Sequence, residues 1–269
     1  MKEFRNKVAV ITGAGSGIGR ALASDLAARG ARLALSDVDS ERLAETTARC
    51  AAQGTKVRSY QLDVSDRAAV NAHAADVASE FGTVNLVVNN AGVALVGTVS
   101  EMPDEQLDWL LGINLSGVLH GTRAFLPHLI SSGEGHVVNL SSVFGFIGVP
   151  TQSAYNAAKF GVRGFTEALA QEMRAEKRPV RVSCVHPGGI KTNIARDARG
   201  DTGNDAAGMF DRVARTTPEG ASRAILRGVE RNHRRIRVGP DAYAIEALPR
   251  LLGAAYQPLV TLAAKRGLI

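Results

Sequence analysis

The sequence predicts a doubly wound α/β domain, a mostly parallel seven-stranded sheet with helices on both faces, and three observations predict it. Short β-branched runs alternate with longer helix-forming segments along the chain. These runs read as strands buried on both faces, as in a parallel sheet. A glycine-rich turn joins the first run to the first helical segment. Strand, helix and strand repeated in this way imply right-handed crossovers within a single domain spanning 1–269.

The elements follow in order. KVAVIT (7–12), ARLALS (31–36), KVRSYQL (56–62), NLVVN (85–89), GHVVNLS (135–141) and VRVSCV (180–185) read as strands, and RRIRVG (234–239) as a seventh at one edge. Between them, 18–29, 40–53, 66–81, 104–130 and 153–177 carry helix-forming composition, with capping residues at several starts. The polar, glycine-dotted stretch 191–217 follows a strand end directly and reads as a substrate lid. The last segment, 240–269, reads as a C-terminal helical extension with an apolar stripe.

Composition narrows the function classes. A chain of 269 residues that is 45% apolar and 22% charged can bury one large core. Cys50 and Cys184 lie far apart, and Cys184 sits in an apolar run, so neither a disulfide framework nor a metal cluster is expected. No apolar run reaches bilayer length, and the charged start leads straight into a strand, which predicts a cytoplasmic protein without a transmembrane segment. The net charge of +6 is scattered through the helical segments. Its one dense cluster, RNHRRIRVG (231–239), lacks aromatic interleaving and reads as a solvated strand flank, so no nucleic-acid partner is expected.

The turn after the first strand places Gly13, Gly17 and Gly19 in a G-x-x-x-G-x-G pattern. Glycines there let backbone amides and the positive end of the following helix approach a pyrophosphate. Asp37 closes the second strand, where a carboxylate accepts hydrogen bonds from adenosine ribose hydroxyls and repels a 2′-phosphate. No cation stands at Ser16, Ser36 or Val38 to attract one, so NAD is expected over NADP. Without the glycine turn, Asp37 would read as a turn residue before the next helix.

The chemistry-bearing stretch is SAYNAAKFG (153–161), with Tyr155 and Lys159 four residues apart on one helix face. Random placement of the 4 Tyr and 7 Lys of this chain would give about 0.1 such pairs, so context decides the reading. An ammonium group beside a phenol and the positive nicotinamide of an oxidised cofactor both favour the phenolate and lower a pKa of about 10 toward the working range. Ser142 ends the fifth strand, where its hydroxyl can orient a substrate oxygen, whereas Ser141 points to the opposite side.

In order along the chain stand TGAGSGIG (12–19), LDV (62–64), NNAG (89–92), IN (113–114), NLSS (139–142), YNAAK (155–159) and HPGGIKT (186–192). Jointly these resemble the short-chain dehydrogenase/reductase superfamily, single-domain oxidoreductase branch, to about Gly239. The resemblance implies a Rossmann-like fold that transfers hydride between a nicotinamide cofactor and an alcohol or ketone. It implies Tyr155 as general acid/base, Lys159 beside it and on the nicotinamide ribose, Ser142 on the substrate oxygen, and Asn114 holding a water that links Lys159 to solvent. For the cofactor it implies Gly13, Ser16, Gly17, Ile18, Gly19 and Asp37. It adds Asp63 and Val64 beside the adenine, and Asn90, Ala91, Gly92, Tyr155, Lys159, Pro187 and Gly188 along the cofactor. Ile190 then meets the carboxamide, and Thr192 the amide or phosphates. Asp63 also reads as a strand terminator, Asn90 as a tie between strand ends, HPGG as a turn and Asn114 as a helix-distortion residue.

The expected substrate lining is Val93, Ala94, Phe144, Ile147, Val149 and Gly188, with Met209 and Phe210 lowered from the lid. It is mostly apolar and holds no arginine, which points to a hydrophobic secondary alcohol or ketone. The resemblance implies a homodimer or homotetramer. The extension departs from the short glycine-ended tail of many relatives; covering a neighbouring subunit ranks ahead of bordering the substrate pocket or resting on a membrane. The alternatives are an NADP-preferring carbonyl reductase and, in another class, a non-catalytic dinucleotide-binding sensor or scaffold.

Overall fold

The computed structural model describes residues 1–200 and 214–266. Seven strands form one parallel sheet: β1 (Val8–Thr12), β2 (Arg32–Asp37), β3 (Val57–Gln61), β4 (Leu86–Asn89), β6 (Gly135–Leu140), β7 (Val180–Pro187) and β9 (Arg235–Val238). Their order is β3-β2-β1-β4-β6-β7-β9. A second, two-stranded parallel sheet, β5 (Leu95–Val96) with β8 (Arg199–Gly200), had no recognisable signal, because each strand is only two residues long.

Helices α1 (Gly17–Ala28), α2 (Ser40–Ala51) and α7 (Pro218–Glu230) cover one face through Leu22, Leu26, Leu43, Ile225 and Leu226, which pack on Ile11, Leu33 and Leu35. Helices α3 (Arg67–Phe81), α5 (Gly117–Ser131) and α6 (Ser153–Ala175) cover the other through Val77, Phe125, Leu129 and Leu169 against Val10, Val87 and Val137. Each such fully buried side chain contributes about 1.5–3 kcal/mol of transfer free energy. Periodicity explains why these segments are helical: in α2, Leu43, Thr46 and Cys50 recur on one buried stripe, and Asp39 caps the start by accepting from Arg42 N at 3.0 Å.

Two expectations are corrected. The third strand is not buried on both faces: Arg58, Ser59 and Gln61 are exposed, because β3 is an edge strand paired only with β2. The single helix expected over 104–130 is α4 (Asp104–Leu111), a π-helical segment (Gly112–Ser116) and α5. One inserted residue at such a segment shifts the backbone ladder without breaking the helix.

The strand order fixes the site. From β1 the chain steps outward to β2 and β3, then returns to the other side of β1 at β4. Loops after β1 and β4 therefore diverge and leave a crevice at the carboxyl ends of the strands, where ligands bind in this architecture.

Candidate functional site

Backbone shape builds the half of the crevice next to β1. Gly13 has φ +65° and Gly17 φ +49°, conformations that disfavour any side chain. A Cβ on Gly13 would lie 2.8 Å from Ala91 Cα, and one on Gly17 would lie 3.0 Å from Thr192 Cγ2. The glycine turn, the NNAG segment and the loop after β7 thus converge at van der Waals distance. Thr12 Oγ1 accepts from the amides of Asn90 and Ala91, both at 3.0 Å, and Asn90 Nδ2 donates to Thr12 O and Gly13 O at 2.9 and 3.1 Å. Asn90 accordingly ties the ends of β1 and β4 together.

Helices α2, α3 and α7 begin with side-chain caps from Asp39, Asp66 and Thr217, but Ser16 makes no cap on α1. The first amides of α1, beginning at Gly17 and including Ile18 and Gly19, have no side-chain cap where the helix opens beside the glycine turn. Unsatisfied donors and the positive helix end fit a diphosphate. Asp37 bounds this half: Oδ2 accepts from Gly15 N at 2.8 Å and Oδ1 from Asp39 N at 3.0 Å. Further out, Asp63 Oδ1 accepts from Ser65 N at 2.8 Å, and buried Val64 packs in a cluster with Ala91 and Ile113.

Side chains build the other half. A Cβ on Gly92 would sit 3.3 Å from Asn114 Oδ1 and 3.6 Å from Lys159 Nζ, so these two groups border one spot. Asn114 is fully buried in the π-helical segment and pairs with Val93 twice, accepting from its N–H and donating to its C=O at 2.8 Å each. Lys159 Nζ donates to Leu140 O at 3.0 Å and lies 5.4 Å from the Tyr155 ring centre. Ser142 Oγ accepts from Phe144 N at 3.1 Å and interacts with the Tyr155 phenol. Ser141 faces away and donates to Lys159 O at 2.8 Å. The fold therefore gathers Asn114, Ser142, Tyr155 and Lys159, drawn from three segments far apart in the chain.

Burial opposes the expected lowering of the phenol. Burial pushes the Tyr155 phenol up to about 12, against the lowering effect of its hydrogen bond with Ser142. Burial also pulls the Lys159 ammonium down to about 8, opposed by Cys184. The reason is desolvation: Lys159 is buried and Tyr155 half-buried, and loss of water penalises ammonium and phenolate alike.

On the outer side of Tyr155, Phe144 presents its ring edge at 6.1 Å, and Val93 and Ala94 are half-buried. Ile147 and Val149 are buried in a cluster with Phe146 and Val260, the last from the C-terminal extension. That extension is α8 (Pro240–Leu252) and α9 (Tyr256–Lys265), and Tyr256 Oη accepts from Gly148 N at 3.2 Å. It packs on the loop after β6 of its own chain. Met209 and Phe210 lie outside the described residues, as do residues 201–213 of the 191–217 stretch.

The loop after β7 closes the crevice. Pro187 ends the strand buried, Gly188 N donates to Val238 O at 2.9 Å, and buried Ile190 pairs with Thr216. A Cβ on Gly188 would run into the Asp241 carboxylate, so that face of Gly188 turns toward α8.

Several participants escaped the sequence reading. Asn156, inside YNAAK, shapes the loop after β6 by donating to Phe144 O at 2.7 Å and Ile147 O at 2.8 Å and accepting from Val149 N at 2.9 Å. Buried His186 donates from Nδ1 to Ser142 O at 3.0 Å; burial holds its pKa down at about 4, so it is neutral. Arg42 stands close to Gly15, with its guanidinium paired to Asp39 at 3.2 Å and Asp197 at 3.1 Å. The flank expected to be solvated at 231–239 is exposed over 231–234, whereas Arg235 and Arg237 clamp buried Glu246 of α8, leaving Arg235 only 26% exposed.

Comparison with known proteins decides the family. A family model described as short chain dehydrogenase matches residues 7–203. The chain belongs to the short-chain dehydrogenase/reductase family. A Mycobacterium tuberculosis protein named oxidoreductase SadH is 53% identical over 264 residues, covering 97% of this chain and 96% of that protein. A short-chain dehydrogenase/reductase from Burkholderia phymatum, solved in complex with NAD, superposes with a TM-score of 0.86 at 33% identity, covering 93% of this chain and 95% of that one. A metagenomic short-chain oxidoreductase in complex with NADP superposes with a TM-score of 0.65 at 37% identity, covering 68% and 83%. This family member is therefore an oxidoreductase of the nicotinamide-dinucleotide class. Among the described residues no helix is long and apolar enough to cross a membrane, and no cluster could hold a metal ion.

Proposed function

We propose that this oxidoreductase is an NAD-dependent dehydrogenase or reductase acting on a hydrophobic secondary alcohol or ketone, with Tyr155 as general acid/base. The observation that carries the reading is the convergence of Tyr155, Ser142, Lys159 and Asn114 beside the glycine cradle. When bound, the nicotinamide cofactor supplies the hydride acceptor or donor. Oxidation breaks the carbinol C–H and O–H bonds and forms the carbonyl. Tyr155 takes the hydroxyl proton, and in reduction it returns that proton to the carbonyl oxygen. Ser142 hydrogen-bonds the reacting oxygen. Lys159 favours the phenolate when charged, and Asn114, clamped to Val93, borders the space beside Lys159 through which the proton leaves.

Asp37 supports NAD over NADP, since a 2′-phosphate beside its carboxylate meets like charge. The nearby Arg42 is already paired with two carboxylates, Asp39 and Asp197. Val93, Ala94 and Phe144 support an apolar substrate. The exposed Leu251, Leu252, Leu259 and Leu262 of the extension favour a homodimer or homotetramer, and a cytoplasmic setting accords with the two buried free thiols.

The test is incubation with NAD and a panel of apolar secondary alcohols while NADH absorbance is followed, beside the reverse assay with ketones. Turnover that falls at least about 10³-fold in Tyr155→Phe is expected. Undiminished activity in that variant would overturn the mechanism.

A further inference from the structure

Asp241 opens α8, the first helix of the C-terminal extension, and it was absent from every functional motif read in the sequence. Its position follows from local geometry. Gly239, with φ +95°, turns the chain out of β9, and Pro240 starts the helix. Asp241 therefore sits in the first helical turn, where an acid suits the helix dipole. Instead of capping α8, its carboxylate reaches back to the loop after β7: Oδ2 accepts from Gly189 N at 2.7 Å and fills the space over Gly188 that a Cβ would need.

The opposite side of the same loop is held by Thr216. Thr216 O accepts from Lys191 N at 2.9 Å, and Thr216 N donates to Gly189 O at 3.3 Å. Gly189 to Lys191 is thus gripped between one backbone segment and one carboxylate, and Ile190 and Thr192 are carried by that grip. The helix supplying the carboxylate is fixed in turn. Glu246, 4% exposed, pairs with Arg235 Nη1 at 2.5 Å, Arg237 Nη1 at 3.0 Å and Arg250 Nη2 at 2.8 Å. Arg235 also reaches Glu167 of α6. Asp241 is anchored to the sheet edge and does not ride on a loose tail.

We propose that Asp241 is a positioning residue for the nicotinamide-side wall of the cofactor site, acting through the Gly189 amide on Ile190 and Thr192, so that the C-terminal extension is part of the cofactor-binding machinery. This rests on the reading of the site given under Proposed function. Deleting the carboxylate leaves a partly buried amide without its acceptor and frees the loop to move, and both effects fall on the part of the cofactor that this loop meets.

The experiment compares wild type, Asp241→Asn and Asp241→Ala by titration with NADH and, separately, with 5′-AMP, which contains only the adenosine end. Asp241→Ala is expected to weaken NADH binding about ten-fold and raise KM for the cofactor more than it lowers kcat, with 5′-AMP affinity unchanged within about two-fold. Asp241→Asn, which keeps an acceptor oxygen, should restore most of the NADH affinity. Equal losses for NADH and 5′-AMP would mean general loosening of the fold and would overturn the inference, as would unaltered NADH binding in Asp241→Ala. Wild-type protein that binds no NADH would sink the reading of the site as well, so the two failures are told apart by the wild-type titration.

Discussion

The two halves of the crevice are built by opposite means. The half at β1 and α1 is made of backbone: Gly13, Gly15, Gly17 and Gly19 lie within seven residues, and a single carboxylate, Asp37, braces the turn. The half at α6 is made of side chains drawn from three segments, where desolvation moves the half-buried Tyr155 phenol up and the buried Lys159 ammonium down. Shape is the sensitive variable in the first half, and charge in the second. An added methyl group should therefore disable the first half, and a removed charge should change the pH behaviour of the second.

The largest effect is expected from Gly19→Ala. Its Cβ would collide with Gly13 O and lie 2.6 Å from Asn90 Nδ2, forcing apart the tie between β1 and β4. Cofactor affinity should fall by about 100-fold, measured by NADH titration, while Ser24→Ala farther along α1 serves as a variant that leaves the turn alone. Wild-type affinity in Gly19→Ala would break the claim that shape rules this half.

An intermediate effect is expected at Asp37, where the first half uses charge at all. Asp37→Ala removes the repulsion toward a 2′-phosphate together with the brace on Gly15, so the ratio of NADH to NADPH affinity should shift toward NADPH by about ten-fold. An unchanged ratio would place cofactor choice elsewhere, with Arg42 the next residue to vary.

The smallest effect is on stability and sharpens the account of the second half. The folded pKa of Lys159, about 8, lies below its ordinary 10.5. The unfolded chain therefore binds more protons between those values, and stability contributed by this group rises with pH across that window. Below pH 8 the folded state bears the cost of a buried ammonium. Lys159→Met should raise the melting temperature at pH 7 by about 3 °C and flatten its dependence between pH 8 and 10.5, even as turnover is lost. A melting temperature that falls at pH 7 would show that the bond to Leu140 O outweighs the desolvation of the charge.

Legibility in the sequence follows the same division. The alternation of apolar runs and helical segments announced the sheet, because parallel strands covered on both faces leave a continuous apolar signature. The exposure of β3 did not show, since a strand's place at the edge depends on which strands pair with it and not on its own residues. Gly13, Gly17 and Gly19 were legible because a tight turn before a helix needs consecutive small residues. The Tyr155–Lys159 spacing was legible because a helix repeats every 3.6 residues. The burial that opposes the lowering of the phenol was not legible for a related reason: a spacing of four carries the ammonium near the phenol but says nothing about how much water surrounds either group.

The sequence by itself determined the α/β class, the glycine cradle and the Tyr155–Lys159 pair, because each rests on a short-range pattern that local chain geometry enforces; the ordered motifs along the chain carried the family resemblance and, through it, Asn114 and Ser142. Only the tertiary structure decided what Ser141 does instead, donating to Lys159 O. It alone showed Asn156 and His186 holding the loop around Ser142, and α8 reaching back from the far end of the chain to set Asp241 on Gly189. Those contacts join residues up to 52 positions apart; the bond from His186 needs β6 beside β7, and the one to Asp241 needs β7 beside β9. Distance along the chain carries no information about such meetings; the topology of the sheet does.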